Sequence, residues 1–319
     1  MRAMATEHDI LLFAAIDTKD AKGVKAALAA GANPSAVKPG GGAALLLALR
    51  EKSKPLVKLL LAAGADVKVA DAHGAGPLHF LATDFPDLDL AGLLLDAGAE
   101  PNALGGRDRR APLHDAVLRP KLDLAGLLLD RGADIDVHEG RDALTPLQLT
   151  LKADTKTSLA AAMWLLERGA DLNAVDRHGQ NALCTALRST SDAALVSRLL
   201  DKGARLVTNT FGSTPLHVSV SSTQRRATAL WDLLVERGCD LNAQDNEGDT
   251  PLMKAVDQGH TVTVIALIIA SAKGSLEIAT LLAPGTDKNL QTKVQGSFPL
   301  RVDKEFTHKQ TLKNGKVKF

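Results

Sequence analysis

One short phrase returns along this chain of 319 residues at an almost constant interval, and that interval restricts the fold more than any single residue does. The phrase is a small residue, proline and leucine, as in Gly76-Pro77-Leu78-His79 and Ala111-Pro112-Leu113-His114. It recurs as Thr145-Pro146-Leu147-Gln148, Thr214-Pro215-Leu216-His217 and Thr250-Pro251-Leu252-Met253, with a weaker copy at Asn181-Ala182-Leu183-Cys184. Its second residues stand at 77, 112, 146, 182, 215 and 251, so the steps are 35, 34, 36, 33 and 36 residues. A period in this range belongs to a stack of small units, each touching its neighbours, and not to one globular core.

A second phrase keeps time with the first. About 21 residues after each marker a leucine run closes on Gly-Ala or a near copy: Gly64-Ala65-Asp66, Gly98-Ala99-Glu100, Gly132-Ala133-Asp134, Gly169-Ala170-Asp171 and Gly238-Cys239-Asp240. Glycine at the end of an apolar run predicts a helix stopped in the left-handed conformation, which costs glycine no steric clash. Proline in the first phrase suits the first helical turn, where its missing N–H has no intrahelical partner to lose. Each unit is therefore expected to hold two short antiparallel helices and a turn. Neither helix buries its apolar face alone, so neighbouring units must supply the core.

Together these residues resemble the ankyrin repeat, whose pattern is Thr-Pro-Leu-His-x-Ala followed by Leu-Leu and Gly-Ala-Asp-x-Asn. Weaker copies extend it toward the N-terminus, at Ala43-Ala44-Leu45-Leu46-Leu47-Ala48 and Ile10-Leu11-Leu12-Phe13-Ala14-Ala15. The expected fold class is all-α, an ankyrin-repeat solenoid of helix-turn-helix units with projecting turn or β-hairpin fingers. Its expected extent is 1–289, with units starting near 7, 41, 75, 109, 143, 179, 212 and 248. The eighth unit is irregular: three successive helices are expected near 251–258, 261–271 and 275–283, as if a half-unit had been lost or fused over 261–289. Residues 290–319 fit no repeat. They carry seven basic and two acidic residues, a local +5 against +1 for the whole chain, and are expected to form a basic, flexible tail. The tail ends in Val317-Lys318-Phe319, which is similar to a C-terminal ligand for strand addition.

Composition narrows the function classes. Hydrophobic residues make up 45% of the chain but aromatic ones only 3%, which suits thin helical layers. No apolar run reaches the length of a membrane span, and the N-terminal residues lack the apolar segment of a secretion signal. A net charge of +1 offers no general attraction to nucleic acid. Cys184 and Cys239 are expected as unpaired, partly buried thiols. Cytoplasmic residence follows, with the nucleus left open, and a monomer is expected.

No constellation for catalysis, cofactor or metal emerges. His79, His114 and His217 recur with the repeat, on layers about 10 Å apart, too far to share one metal. The resemblance implies that this histidine bonds backbone between adjacent units. Asp66, Asp134, Asp171 and Asp240 are turn formers. Trp164 and Trp231 fall within leucine runs and are expected in the core.

Function is expected where the repeat leaves identity free. The resemblance implies fingers in a row beside a concave surface lined by first helices. Arg107, Arg109 and Arg110 crowd one finger, Arg141 falls on the next, Arg177 with His178 on the one after, and Phe211 follows. This set is the candidate partner site, since arginine and aromatic residues are enriched at binding hot spots. The expected partner is another protein offering an acidic or amphipathic segment, and no enzyme activity is expected. The alternative is a regulatory or effector subunit, such as a ubiquitin-ligase adaptor, an inhibitor or a host-directed bacterial effector, whose tail recruits other machinery. Asn173 and Asn242 follow Asp-Leu in a context similar to ankyrin sequences accepted by asparaginyl hydroxylases, which makes both candidate modification sites.

Overall fold

The computed structural model describes residues 6–38, 41–189, 192–220 and 228–257. Fifteen helices lie in these segments. First helices of the units are α1 (Glu7–Asp17), α3 (Ala44–Arg50), α5 (Pro77–Thr83), α7 (Pro112–Leu118), α9 (Pro146–Ala153), α11 (Ala182–Ser189), α13 (Pro215–Val220) and α15 (Pro251–Asp257). Second helices are α2 (Ala21–Ala29), α4 (Lys54–Ala62), α6 (Leu88–Asp96), α8 (Leu122–Asp130), α10 (Lys156–Glu167), α12 (Ala193–Asp201) and α14 (Thr228–Glu236). The expected helices near 261–271 and 275–283 and the 290–319 tail lie outside the described residues.

Two compact units divide the chain. The first holds Met1–Thr190 with Ala194–Thr210, and the second holds Ser191–Ala193 with Phe211–Phe319. Within the first, each first helix packs on the next, α1 on α3, α3 on α5, α5 on α7, α7 on α9 and α9 on α11. Second helices stack in parallel with them, α2 on α4, α4 on α6 and α6 on α8. The second unit repeats the arrangement, with α13 against α14 and α15.

Local chemistry starts and stops each helix. Proline opens α5, α7, α9, α13 and α15. Thr6 caps α1, accepting from the Asp9 N–H at 3.2 Å while Asp9 accepts from the Thr6 N–H at 2.9 Å. At the other end, Gly64 after α4 has φ 80° and lets the Ala65 N–H reach back to the Leu60 carbonyl at 2.9 Å. The turn aspartates act as expected: Asp66, Asp134, Asp171 and Asp240 each accept from the N–H two residues on, at 2.8, 3.0, 2.8 and 2.9 Å. These bonds redirect the chain into the finger.

The core is a thin aliphatic seam between the two helix rows. Leu46, Leu81, Leu113, Leu147 and Leu183 are 0–1% exposed on first helices, and Leu60, Leu94 and Leu128 match them on second helices. Each such side chain contributes about 1.5–3 kcal/mol when removed from water. Helices of six to twelve residues need this burial, since isolated ones of that length are marginal.

The two tryptophans part company. Trp231 is 3% exposed, and its Nε1 donates to the Ser219 hydroxyl at 3.0 Å. Trp164, expected in the core, is only half-buried, and the Arg168 guanidinium covers its ring at 4.3 Å. The leucine run of α10 turns Leu165 inward instead, leaving the preceding residue at the edge of the seam.

Among the described residues no strand forms. Two isolated antiparallel bridges, Val37 with Ala43 and Gly105 with Arg110, brace individual finger turns.

Candidate functional site

Three of the fingers are built on a buried carboxylate at the base. In the first unit Asp176 Oδ1 accepts from the N–H groups of His178 and Gln180 at 2.8 and 2.9 Å. In the second, Asp245 Oδ1 does the same for Glu247 and Asp249 at 3.0 and 3.1 Å. Glu139 substitutes on the fourth finger, with its two oxygens accepting from Arg141 and Asp142 at 3.3 and 2.6 Å. The tip is thus held by its own main chain, and the outward side chains are free to vary.

Neighbouring tips are then tied together. In the first unit the Gly140 N–H donates to the Arg109 carbonyl at 2.8 Å, Arg177 to Asp142 at 3.1 Å and Thr210 to His178 at 2.9 Å. Arg109 sits at φ 51°, an uncommon conformation for a residue with a side chain. Its stem lies across Gly140, where an added Cβ would stand 2.7 Å from Arg109 Cβ. Glycine is required at 140 by this close approach. In the second unit the Asn246 N–H donates to the Phe211 carbonyl at 3.0 Å.

The structure distributes the candidate residues as follows. Arg107 and Arg109 are exposed, and neither guanidinium has an ion-pair partner among the described residues. Arg110 is half-buried, pairs with Asp108 at 3.2 Å and keeps its Nε buried without a hydrogen-bond partner. Arg141 has a side chain 72% exposed and reaches the other Asp108 oxygen at 3.6 Å. Arg177 pairs with Asp142 at 2.9 Å and donates through Nε to His178 Nε2 at 3.1 Å. Lys152 on α9 also reaches Asp142, at 3.5 Å. Phe211 is 57% exposed and opens the second unit. Sequence reasoning missed Asp108, Asp142 and Lys152, although an aspartate beside each arginine was in plain view.

Asn173 and Asn242 differ in setting. Asn173 is half-buried and bridges to the next turn, accepting from the Arg205 N–H at 2.8 Å and donating to the Gly203 carbonyl at 3.2 Å. Asn242 is exposed.

The recurrent histidines are committed at both ring nitrogens. His79 Nδ1 accepts from the Gly76 N–H at 3.1 Å, which puts the proton on Nε2, facing the Arg110 carbonyl of the next repeat at 2.8 Å. His114 repeats this with Ala111 at 3.2 Å and Leu144 at 3.0 Å, and His217 with Thr214 at 3.2 Å and Asp249 at 2.9 Å. Burial drives the His114 pKa down to about 4, against the hydrogen bond to Leu144, which favours the charged ring. Gln148 performs the same bridge with its amide, to Thr145 at 2.9 Å and Gln180 at 2.7 Å. Where Cys184 takes the slot, Asn181 bridges instead, donating to the Arg205 carbonyl at 2.9 Å. These imidazoles hold repeats together and are unavailable as general bases.

Among the described residues, one grouping of three potential metal ligands occurs, Asp245, Glu247 and Asp249. The Lys254 ammonium already stands among them, at 2.7, 2.9 and 3.8 Å. Its hydrogen bond to Asp245 raises its pKa, so it remains the resident cation. Cys184 and Cys239 form no disulfide and are buried, and burial pushes the Cys239 thiol up to about 11, which makes it a poor nucleophile. No helix among the described residues is long and apolar enough to cross a membrane.

Comparison with known proteins agrees with the architecture. The family model for ankyrin repeats in three copies matches residues 113–210 and 191–268. The chain is 36% identical over 190 residues to human ankyrin repeat and SOCS box protein 16, covering 58% of this chain and 42% of that protein. It is 28% identical over 208 residues to the E3 ubiquitin-protein ligase KEG of Arabidopsis thaliana, covering 62% of this chain and 12% of that one. It thus spans less than half of either relative. Among solved structures, the ankyrin repeat domain of Bcl-3, described as a member of the IkappaB protein family, superposes with a TM-score of 0.57 at 27% identity. That match covers 70% of this chain and 97% of that domain. Repeat period, hairpin stacking, inter-repeat histidine bonds and these similarities converge: the chain belongs to the ankyrin repeat family.

Proposed function

We propose that this chain is a protein-binding scaffold whose first unit docks an acidic segment of a partner along the finger row. The observation that carries this reading is the pair of exposed guanidinium groups, Arg107 and Arg109, beside the weakly held Arg141. The main chain that carries Arg109 is clamped to the neighbouring finger, so the backbone loses little freedom on binding, which favours recognition by charge. Enzyme activity has no support in the site, because the buried titratable groups are spent on structure.

Fluorescence anisotropy with a labelled glutamate-rich peptide tests the reading. Binding is expected at low salt and should weaken as salt rises. Arg109→Glu with Arg141→Glu should slow association and weaken affinity roughly tenfold. An affinity and a salt response unchanged by the charge reversals would remove this face from consideration.

The adaptor reading is favoured by the identity of two similar proteins, a SOCS box protein and a ubiquitin-protein ligase. In that case the repeats select a target and residues 290–319 engage other machinery. Deleting 290–319 separates the readings, since a plain scaffold keeps every partner without them.

A further inference from the structure

We infer that the finger row reads an extended acidic segment in register, one carboxylate per finger, so that the recognised pattern is an acidic residue at every third position. This rests on the acidic-partner reading above and adds the spacing of the charges.

Three observations lead there. First, successive fingers are joined main chain to main chain, Gly140 to Arg109 and Arg177 to Asp142, so equivalent positions on them advance together with the repeat. Packed helices put the repeat spacing at about 10 Å. An extended chain advances about 3.3 Å per residue, so three residues carry it from one finger to the next.

Second, the protein's own carboxylates show where such acids sit. Asp108 lies between Arg110 at 3.2 Å and Arg141 of the following finger at 3.6 Å. Asp142 lies between Lys152 at 3.5 Å and Arg177 of the following finger at 2.9 Å. These two successive finger steps therefore each already hold one carboxylate between two cations. The longest of these contacts, to Arg141, involves the most exposed of the paired arginines and is the easiest to exchange for an incoming acid.

Third, the row favours carboxylates over a nucleic acid strand. Residues 103–110, 138–144 and 175–180 contain no Phe, Trp or Tyr, the platforms on which single-stranded bases stack.

The probe is a labelled peptide of Glu-Pro-Ser repeats, whose polyproline conformation keeps every glutamate on one face with about 9 Å between successive ones. Its control has the same composition with the glutamates in one block. The repeat peptide is expected to bind the intact protein at least fivefold tighter than the block peptide. Asp108→Asn with Asp142→Asn should tighten it further by removing the internal competitors. Equal affinity for the two peptides would overturn the register while leaving acidic recognition standing. Failure of both peptides to bind would overturn both. Binding of an oligothymidylate as tight as that of the repeat peptide would overturn the choice of partner.

Discussion

Asp136 accepts the main-chain N–H of Asp171 at 2.9 Å, in the slot that asparagine fills in two other repeats. Asn102 accepts from the Asp134 N–H at 2.8 Å and donates to the Gly132 carbonyl at 3.2 Å, and Asn173 makes the same pair of bonds to the next turn. An ionised aspartate has no proton for the second bond. Burial raises the Asp136 pKa, and although the bond from Asp171 opposes this, the charges of Asp171 and Asp134 raise it further. A carboxyl with a raised folded pKa binds its proton more tightly when folded. Its stabilising contribution is present below the ordinary value of 3.8 and is lost as pH rises through the raised one. Asp136→Asn should therefore stabilise the protein at neutral pH, by about 1 kcal/mol for the restored bond. Urea melts should show the gap between variant and parent closing on acidification. A lower midpoint for the asparagine variant at neutral pH would contradict this.

His114 works in the opposite direction. Burial lowers its folded pKa to about 4, so the stability tied to the neutral ring is complete above the ordinary value of 6.5 and disappears as pH falls toward 4. Over that window the loss is on the order of 3 kcal/mol. Gln148 shows that an amide fits the same bridge. His114→Gln should keep most of the stability at neutral pH and flatten its decline between those two values, as followed by thermal melts across pH. An acid profile identical to the parent's would place the titration elsewhere.

Gly140→Ala tests positioning without touching charge. The new methyl would meet the Arg109 stem, so the finger tips must shift. The expected cost is about 1–3 kcal/mol of stability. Affinity for the acidic peptide should fall several-fold even though every arginine remains. Unaltered affinity would show that Arg109 is not oriented by this contact.

The tryptophans offer a packing test. Trp231→Ala should cost about 3–5 kcal/mol, because it empties a buried site and orphans a hydrogen bond. Trp164→Ala should cost less than half as much, since that ring is already half in water under Arg168. Equal losses in denaturant titrations would contradict the difference in burial.

Period, helix pairing and turn type were legible from the chain alone, because each depends on residues close in sequence. Proline at a helix start, glycine at its end and aspartate two residues later act through local backbone geometry, so their spacing was enough to predict a pair of helices in each repeat and to identify the aspartates as turn formers. The recurrence of histidine pointed to a structural bridge, but not to its replacement by Gln148 and Asn181, which depends on which side chains reach the next repeat's carbonyls. Finger charge was visible as a run of arginines. That Arg110 is half-buried, that Arg141 and Arg177 lean on Asp108 and Asp142, and that Gly140 steers Arg109 were decided only by folding. Those relationships join residues about 30 or more positions apart, and one-dimensional spacing carries no record of which side chain a stacked neighbour will meet.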